Sequence, residues 1–347
     1  LDADELAPDE ANRYAQFDAT EWRGSLFEHC ERALHRALAV GAHGLPLIGA
    51  GDWNDGMDRL GAKGHGESVW LAWFITVTAQ GFADICRRTG RMHEAKEWEE
   101  RASEIRQRAE ESAWAAFASA DQERVSEALQ SAWDMLVSQE DQLARLLWPA
   151  FDEGLIDPGY IKAYPPGIRE NGGQYSHATA WLGMSFARVK DPEKAFALFN
   201  MINPVRRSDD HAKAEHYRLE PYAVAGDISA GKQHTGRGGW SWYTGAAGWA
   251  WQLATKSILG LQQIDGQLIV NPCIPPNWGG FSATLRVGGG LVSVKVEDPR
   301  GLGCADVELT VDGKTHAGNA IVIPKNGETV ELRVRIVGRN VQHPSPA

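Results

Sequence analysis

The chain has 347 residues, 46 acidic against 35 basic side chains and a net charge of −11, which suits a large buried core and argues against wholesale nucleic-acid binding or adsorption to an anionic membrane. A local phosphate site stays open, since a few donors suffice for one anion. Fourteen Trp outnumber ten Phe and seven Tyr, and several (Trp53, Trp240, Trp242, Trp249, Trp278) stand beside Gly or polar residues, where a flat ring is easily offered to a sugar face.

In chain order, the opening stretch is charged and lacks Met, and reads as a segment of something longer. Leu26, Phe27, Cys30, Ala33, Leu34, Ala37 and Leu38 recur at helical spacing and predict a helix over 22–40. Residues 41–66 are rich in Gly and Asp and read as a long loop, a length that usually signals function. The nearly apolar 67–89 predicts a buried inner helix, and 92–118 an amphipathic one with a solvated charged face. Further helices are predicted over 123–137, 139–152, 178–188, 192–200 and 244–259, separated by Gly/Pro-rich or polar loops at 157–177 and 203–243. Strand alternation starts only near 264, with Asp312-Gly313 and Asn326-Gly327 as hairpin-type turns. The fold class is therefore mainly α with a C-terminal all-β domain. No apolar run reaches the length of a membrane span, and no signal peptide pattern opens the chain. Cys30, Cys86, Cys273 and Cys304 form no CxxC pair and read as reduced, structural thiols of a cytosolic compartment.

Three loops carry the chemistry. The first, Gly51-Asp52-Trp53-Asn54-Asp55-Gly56-Met57-Asp58, sets three carboxylates beside an indole. An acid that protonates a glycosidic oxygen and a ring that stacks on the sugar would look like this; so would an Asp-rich turn capping the next helix. The second loop runs from Tyr164 through Arg169, Glu170 and Gly172-Gly173 to His177, just before a helix. A protonated His177 would be a good phosphate donor, and a satisfied core histidine is the plain alternative. The third holds Glu220, Tyr222 and Gln233 and runs through Arg237 to Thr244-Gly245, also before a helix. A hydroxyl and free N–H groups at a helix start form an anion pocket, and Arg237 could approach the same anion. Thr244 could equally be only an N-cap, and Arg237 could simply pair with Glu220. No metal-ligand spacing, Walker sequence or nucleophile elbow is present.

Together, Gly51–Asp58, Gly66-Glu67-Ser68-Val69-Trp70, Tyr164–Tyr175 and Gly238–Gly245 resemble glycoside hydrolase family 94, closest to the C-terminal phosphorylase-like region of cyclic β-1,2-glucan synthases. The likeness runs from about residue 20 to 280. It implies an (α/α)6 barrel, of which residues 1–262 would be the C-terminal portion, followed by a small antiparallel β-sandwich at 263–347. It implies inverting phosphorolysis of a β-glucoside to α-glucose 1-phosphate. Asp55 maps onto the general acid, its pKa expected to be raised by burial against Trp53 and by Asp52 or Asp58 nearby. Trp53, Asp52, Glu170 and Gln233 fall in the sugar-binding set; His177, Thr244 and Gly245, with Arg237, fall in the phosphate-binding set. The resemblance implies no cofactor and no metal. Inorganic phosphate is the co-substrate, a β-glucan oligosaccharide the ligand, and nucleic acid no partner. It further implies an N-terminal part supplied by the same protein or a complementing chain, a homodimer, and a cytoplasmic-side location as the soluble part of an inner-membrane protein. The alternatives are an inverting hydrolase with Glu170 or Glu220 as base, and a non-catalytic glucan-binding or length-setting module.

Overall fold

A computed structural model describes residues 20–21, 23–112, 122–152, 154, 157–242 and 244–338; the predicted helical extension over 113–118 lies outside them, as does Tyr243. The chain forms two compact units. The first comprises the described residues up to Ala128 with those of Phe151–Pro165, the second Leu129–Ala150 with those from Pro166 on.

The first unit is built on α1 (Leu26–Ala37), α2 (Val69–Arg88) and α3 (Met92–Ser112). A capping box starts α1: the Ser25 hydroxyl accepts the Glu28 N–H, and the Glu28 carboxylate accepts the Ser25 N–H. Gly90, at φ +78°, reverses the chain between α2 and α3, and the Arg91 N–H returns to the Cys86 carbonyl at 2.8 Å. The three helices close on Leu34, Phe82, Ala83 and Trp98. Phe27 lies 4.8 Å from Phe82, and Phe82 meets Trp98 edge-on at 5.6 Å. By length and composition α2 is able to cross a membrane, contrary to the sequence expectation. Its 20 residues hold few charges, but in the fold it is a core helix of this unit.

The second unit begins within α4 (Gln122–Leu136) and continues with α5 (Ser176–Arg188), α6 (Pro192–Ile202), α7 (Pro204–Arg207), α8 (His211–Tyr217) and α9 (Ala246–Gln252), which passes into a π-helical turn over Leu253–Ile258. Its strands are β1 (Val137–Ser138), β2 (Leu143–Ala144), β3 (Gln174–Tyr175), β4 (Asp227–Ile228), β5 (Leu261–Ile264), β6 (Gln267–Val270), β7 (Gly280–Val287), β8 (Gly290–Glu297), β9 (Asp306–Val311), β10 (Lys314–His316), β11 (Ala320–Val322) and β12 (Thr329–Val337). Three departures from the sequence reading have physical causes. The predicted helix at 139–152 is instead the β1–β2 hairpin and bends, because Gln142 and Leu147 take positive φ and Pro149 follows. Strand structure begins at Leu261, slightly ahead of the expected 264, with the two-residue strands β1–β4 earlier still. The C-terminal region is not purely antiparallel, since β12 runs parallel to β8 while antiparallel to β9.

That region holds a five-stranded sheet ordered β10-β9-β12-β8-β7 and a three-stranded sheet ordered β11-β6-β5. Asp312-Gly313 is a tight hairpin turn as expected, with both residues at positive φ. Asn326-Gly327 is no hairpin: it links β11 of one sheet to β12 of the other. Alternate residues of β8 and β12 (Val292, Val294, Val296; Leu332, Val334, Ile336) join Leu268, Val270 and Ile321 in one core, and Ala180, Ala250 and Leu253 of the helical part pack into it. The α-to-β change near residue 260 thus falls inside a single compact unit.

Trp98 is 2% exposed at the centre of the first unit. Trp98→Ala is expected to cost about 3–5 kcal/mol, read as a lowered urea midpoint for the first unit's transition.

Candidate functional site

In the first unit the 51–58 loop is held by its own carboxylates. Asp52 accepts the Asn54 N–H at 2.8 Å through one oxygen and the Ser68 hydroxyl at 2.5 Å through the other. Ser68 caps α2 by accepting the Leu71 N–H at 2.9 Å, so the loop and the helix start share one hydrogen-bonded unit. Asp58 accepts the Tyr160 N–H at 3.1 Å, and Arg59 pairs with Asp157. Gly56 sits where a Cβ would meet the Cβ of Ile161 at 2.9 Å, and Ile161 is fully buried; only glycine allows this approach. Asp55 opens a 3₁₀ turn over Asp55–Met57 and is exposed, not buried against Trp53 as the sequence reading expects. Among the described residues no side chain or backbone group donates to its carboxylate. Trp53 stacks on Trp70 at 6.5 Å, and Trp70 on Phe74 at 5.2 Å. This three-ring ladder was not read from the sequence, although Trp70 and Phe74 lie four apart on one helical face.

In the second unit β3 pairs with β4, setting Tyr175 opposite Asp227. Asp227, 5% exposed, accepts the Trp240 N–H at 2.9 Å. Burial pushes its carboxyl above the usual range, opposed by the Trp240 N–H and the charge of Arg169. Arg169, at φ +50°, lies 4.7 Å over the Trp240 ring and sets its Nε 3.4 Å from Glu170. Glu170 is therefore placed by a turn that leans on Asp227 and Trp240. Gly167 and Gly173 are obligatory in that turn: a Cβ would lie 2.3 Å from the Gly231 nitrogen and 2.6 Å from the Arg169 carbonyl oxygen, respectively. Gly231 belongs to the exposed turn that presents Gln233. The fully buried Gln174 anchors the base of the second loop, accepting the Ala144 N–H at 2.9 Å and donating to the Met201 carbonyl at 3.1 Å. Asp227 went unnoticed in the sequence, and Arg169 appeared there only as part of the second loop; the one signal for Asp227 was an acid within an otherwise apolar Ala-Val-Ala-Gly-Asp-Ile-Ser stretch.

His177 is the second residue of α5. Its ring lies edge-on to Tyr175 at 4.7 Å and 5.0 Å from Trp181, which meets Trp249 of α9 at 5.3 Å. Burial pulls its pKa from 6.5 down to about 4. It is therefore neutral at pH 7, and would offer an anion a neutral N–H in place of the protonated ring considered from the sequence. Gly226 joins the two helix starts. Its carbonyl accepts the Ser176 N–H at 2.8 Å, and a Cβ there would lie 2.5 Å from Thr244 Cγ2. Gly226 thus ties the start of α5, where His177 lies, to Thr244 ahead of α9. Gly245 is the N-cap residue of α9, and the Thr244 hydroxyl accepts the Ala246 N–H at 3.1 Å, leaving its own O–H to donate. Arg237 is exposed with no carboxylate within ion-pair distance among the described residues. It does not pair with Glu220, which accepts from Ser241 and Trp242 instead.

Comparison with known proteins gives this arrangement a context. The family profile "Glycosyl hydrolase 94 superfamily, catalytic domain" matches residues 7–118 and 115–260. The cyclic beta-(1,2)-glucan synthase NdvB of Rhizobium meliloti is 37% identical over 87% of this chain, which spans 12% of that protein. An N,N'-diacetylchitobiose phosphorylase of Vibrio proteolyticus and a solabiose phosphorylase of Paenibacillus borealis are each 26% identical over 90% of the chain, which spans 42% and 45% of their lengths.

The depressed pKa of His177 makes a pH prediction. Between its ordinary 6.5 and about 4 the unfolded chain binds a proton that the folded chain refuses. Stability is expected to fall as pH drops through that window and to show no further loss from this group below it. An NMR titration of the His177 ring should give a midpoint near 4, and His177→Gln should flatten the stability slope within the window.

Proposed function

We propose, from the premise that this chain belongs to the glycosyl hydrolase 94 superfamily, that it performs the inverting phosphorolysis of a β-(1,2)-linked glucan to α-glucose 1-phosphate, as the phosphorylase-type part of a cyclic β-1,2-glucan synthase. The observation that carries the reading is the unequal state of the three carboxylates in the 51–58 loop. Asp52 and Asp58 accept internal hydrogen bonds, whereas Asp55 is exposed and receives none among the described residues. An inverting hydrolase needs a second carboxylate to activate water. A phosphorylase needs only the acid, because phosphate is the nucleophile.

In this reading protonated Asp55 gives its proton to the glycosidic oxygen as that bond breaks. Phosphate attacks the anomeric carbon from the opposite face and inverts it. Trp53 stacks on the donor sugar, with Asp52 fixing the loop that carries it. Glu170 and Gln233 bond to sugar hydroxyls. The neutral His177 N–H, the Thr244 hydroxyl, the backbone at Gly245 and the charge of Arg237 hold the phosphate, whose binding would in turn favour protonation of His177. The reaction needs no metal or organic cofactor. The helical residues to 262 contribute the C-terminal portion of an (α/α)6 barrel, and residues 263–347 a small β domain. A preceding part of the same protein or a complementing chain supplies the rest, on the cytoplasmic side of an inner membrane and in a homodimer.

The test is product analysis on the intact protein with linear β-1,2-glucan. α-Glucose 1-phosphate, formed only with phosphate present, is expected; free glucose formed at the same rate without phosphate would overturn the reading. Asp55→Asn should lower turnover by about 10²–10⁴-fold, the usual worth of a general acid, with an unchanged circular dichroism spectrum. His177→Ala should raise the KM for phosphate far more than that for glucan; equal effects would remove it from the phosphate set.

A further inference from the structure

The second unit carries a pair of rings that the reaction above leaves unused. Trp242 is 71% exposed and Tyr222 72%. They meet nearly edge-to-face, with centroids 6.2 Å apart and planes at 69°, and so form a floor and a wall. Neither is there for its own burial. Trp242 holds φ +70°, a left-handed backbone that bulky residues rarely adopt and that persists where surrounding contacts over-determine it. Those contacts are visible: the indole N–H donates to one oxygen of Glu220 at 2.8 Å, and the Ser241 hydroxyl to the other at 3.2 Å. The bonds from Trp242 and Ser241 hold the Glu220 carboxyl below the usual range, so it is ionised at neutral pH. A carboxylate has about four lone-pair sites; the two side-chain donors take two of them, and the Glu220 main-chain N–H also bears on the group. The corner thus offers a pinned flat face, a second ring and spare acceptor capacity.

We propose that Trp242, Tyr222 and Glu220 form a carbohydrate-stacking subsite that takes a further glucose unit of a β-linked glucan. A sugar ring lays its C–H face on the indole, its edge meets the tyrosine, and its hydroxyls donate to Glu220. The chemistry excludes the competing occupants. An anionic ligand meets an ionised carboxylate, and a purely apolar one leaves its remaining lone pairs without a donor. Trp242 lies two residues before Thr244, so their Cα atoms are no more than about 7 Å apart. The sugar class rests on the phosphorolysis reading above; the corner's geometry does not.

The test measures binding and chemistry separately on the intact protein. Linear β-1,2-glucooligosaccharides of increasing length are titrated calorimetrically without phosphate, against wild type, Trp242→Ala, Trp242→Phe and Tyr222→Ala. Loss of an anchoring aromatic ring is expected to weaken binding of the longer oligosaccharides by about tenfold in the two alanine variants, with Trp242→Phe retaining most of the affinity. In saturation-transfer NMR the sugar C–H protons should receive magnetisation from aromatic protons, less so in Trp242→Ala. Tyr222 is exposed enough for its removal to spare the core, so that variant decides the matter if Trp242→Ala fails to fold. Unchanged affinity in Tyr222→Ala and in a folded Trp242→Ala, or no binding by wild type, overturns the subsite. Ring-dependent binding without glucose 1-phosphate formation supports the subsite and overturns the phosphorolysis reading; product formation with ring-independent binding does the reverse.

Discussion

A carboxylate accepting main-chain N–H groups is the interaction on which the long loops of both units depend. Asp52 takes the Asn54 N–H, Glu67 those of His43 and Leu45, and Asp58 that of Tyr160. In the second unit Asp227 takes the Trp240 N–H, and Asp298 those of Leu302 and Gly303. Segments without a helix or ladder must still pair their backbone groups, and bonds to an ionised acceptor are each worth about 1.5–3 kcal/mol. Part of the chain's acidity is therefore internal scaffolding. The net charge of −11 describes the molecule less well than the division between acids that brace loops and acids that face solvent.

That division explains what the sequence disclosed and what it withheld. The helices with periodic apolar faces and local caps, α1, α2 and α6, lie where spacing puts them, because periodicity and capping are properties of neighbours in sequence. The false helix at 139–152 had apolar residues but also Gln142 and Leu147, whose left-handed backbone follows from Leu146 exchanging hydrogen bonds with Gly172 and Gly173. Alternation in β8 and β12 marked the buried face, yet nothing in it told a parallel partner from an antiparallel one. The site divides in the same way. Residues that touch ligand in the family sit in unusual motifs and were legible by resemblance. The support that Asp227 gives appears only through contacts distant in sequence, and Arg169 and Trp70, though inside the motifs, show their supporting contacts only in the fold.

The proposed phosphate set differs in character from a simple cationic patch. His177 lies among Tyr175 and Trp181, and its charge is suppressed by the burial they provide. The formal positive charge belongs to Arg237 alone in the predicted phosphate set, and it is exposed. A site of neutral donors with one flexible cation binds a doubly charged oxyanion without holding it as tightly as a ring of arginines would. That suits a group that must arrive as substrate and leave within a product. Asp55 belongs to one compact unit and His177, Thr244 and Arg237 to the other, so each set is braced within its own fold.

The order β10-β9-β12-β8-β7 has a consequence for how the molecule is made. Its central strand, β12, is also the last in the described chain, and it bonds to β8 on one side and β9 on the other. Until Thr329–Val337 leaves the ribosome, β8 and β9 each face an empty position, and the apolar faces of the helical part lack the layer that covers them. Both neighbours of β12 precede it in the chain, so the five-stranded sheet is complete only once Thr329–Val337 lies between them.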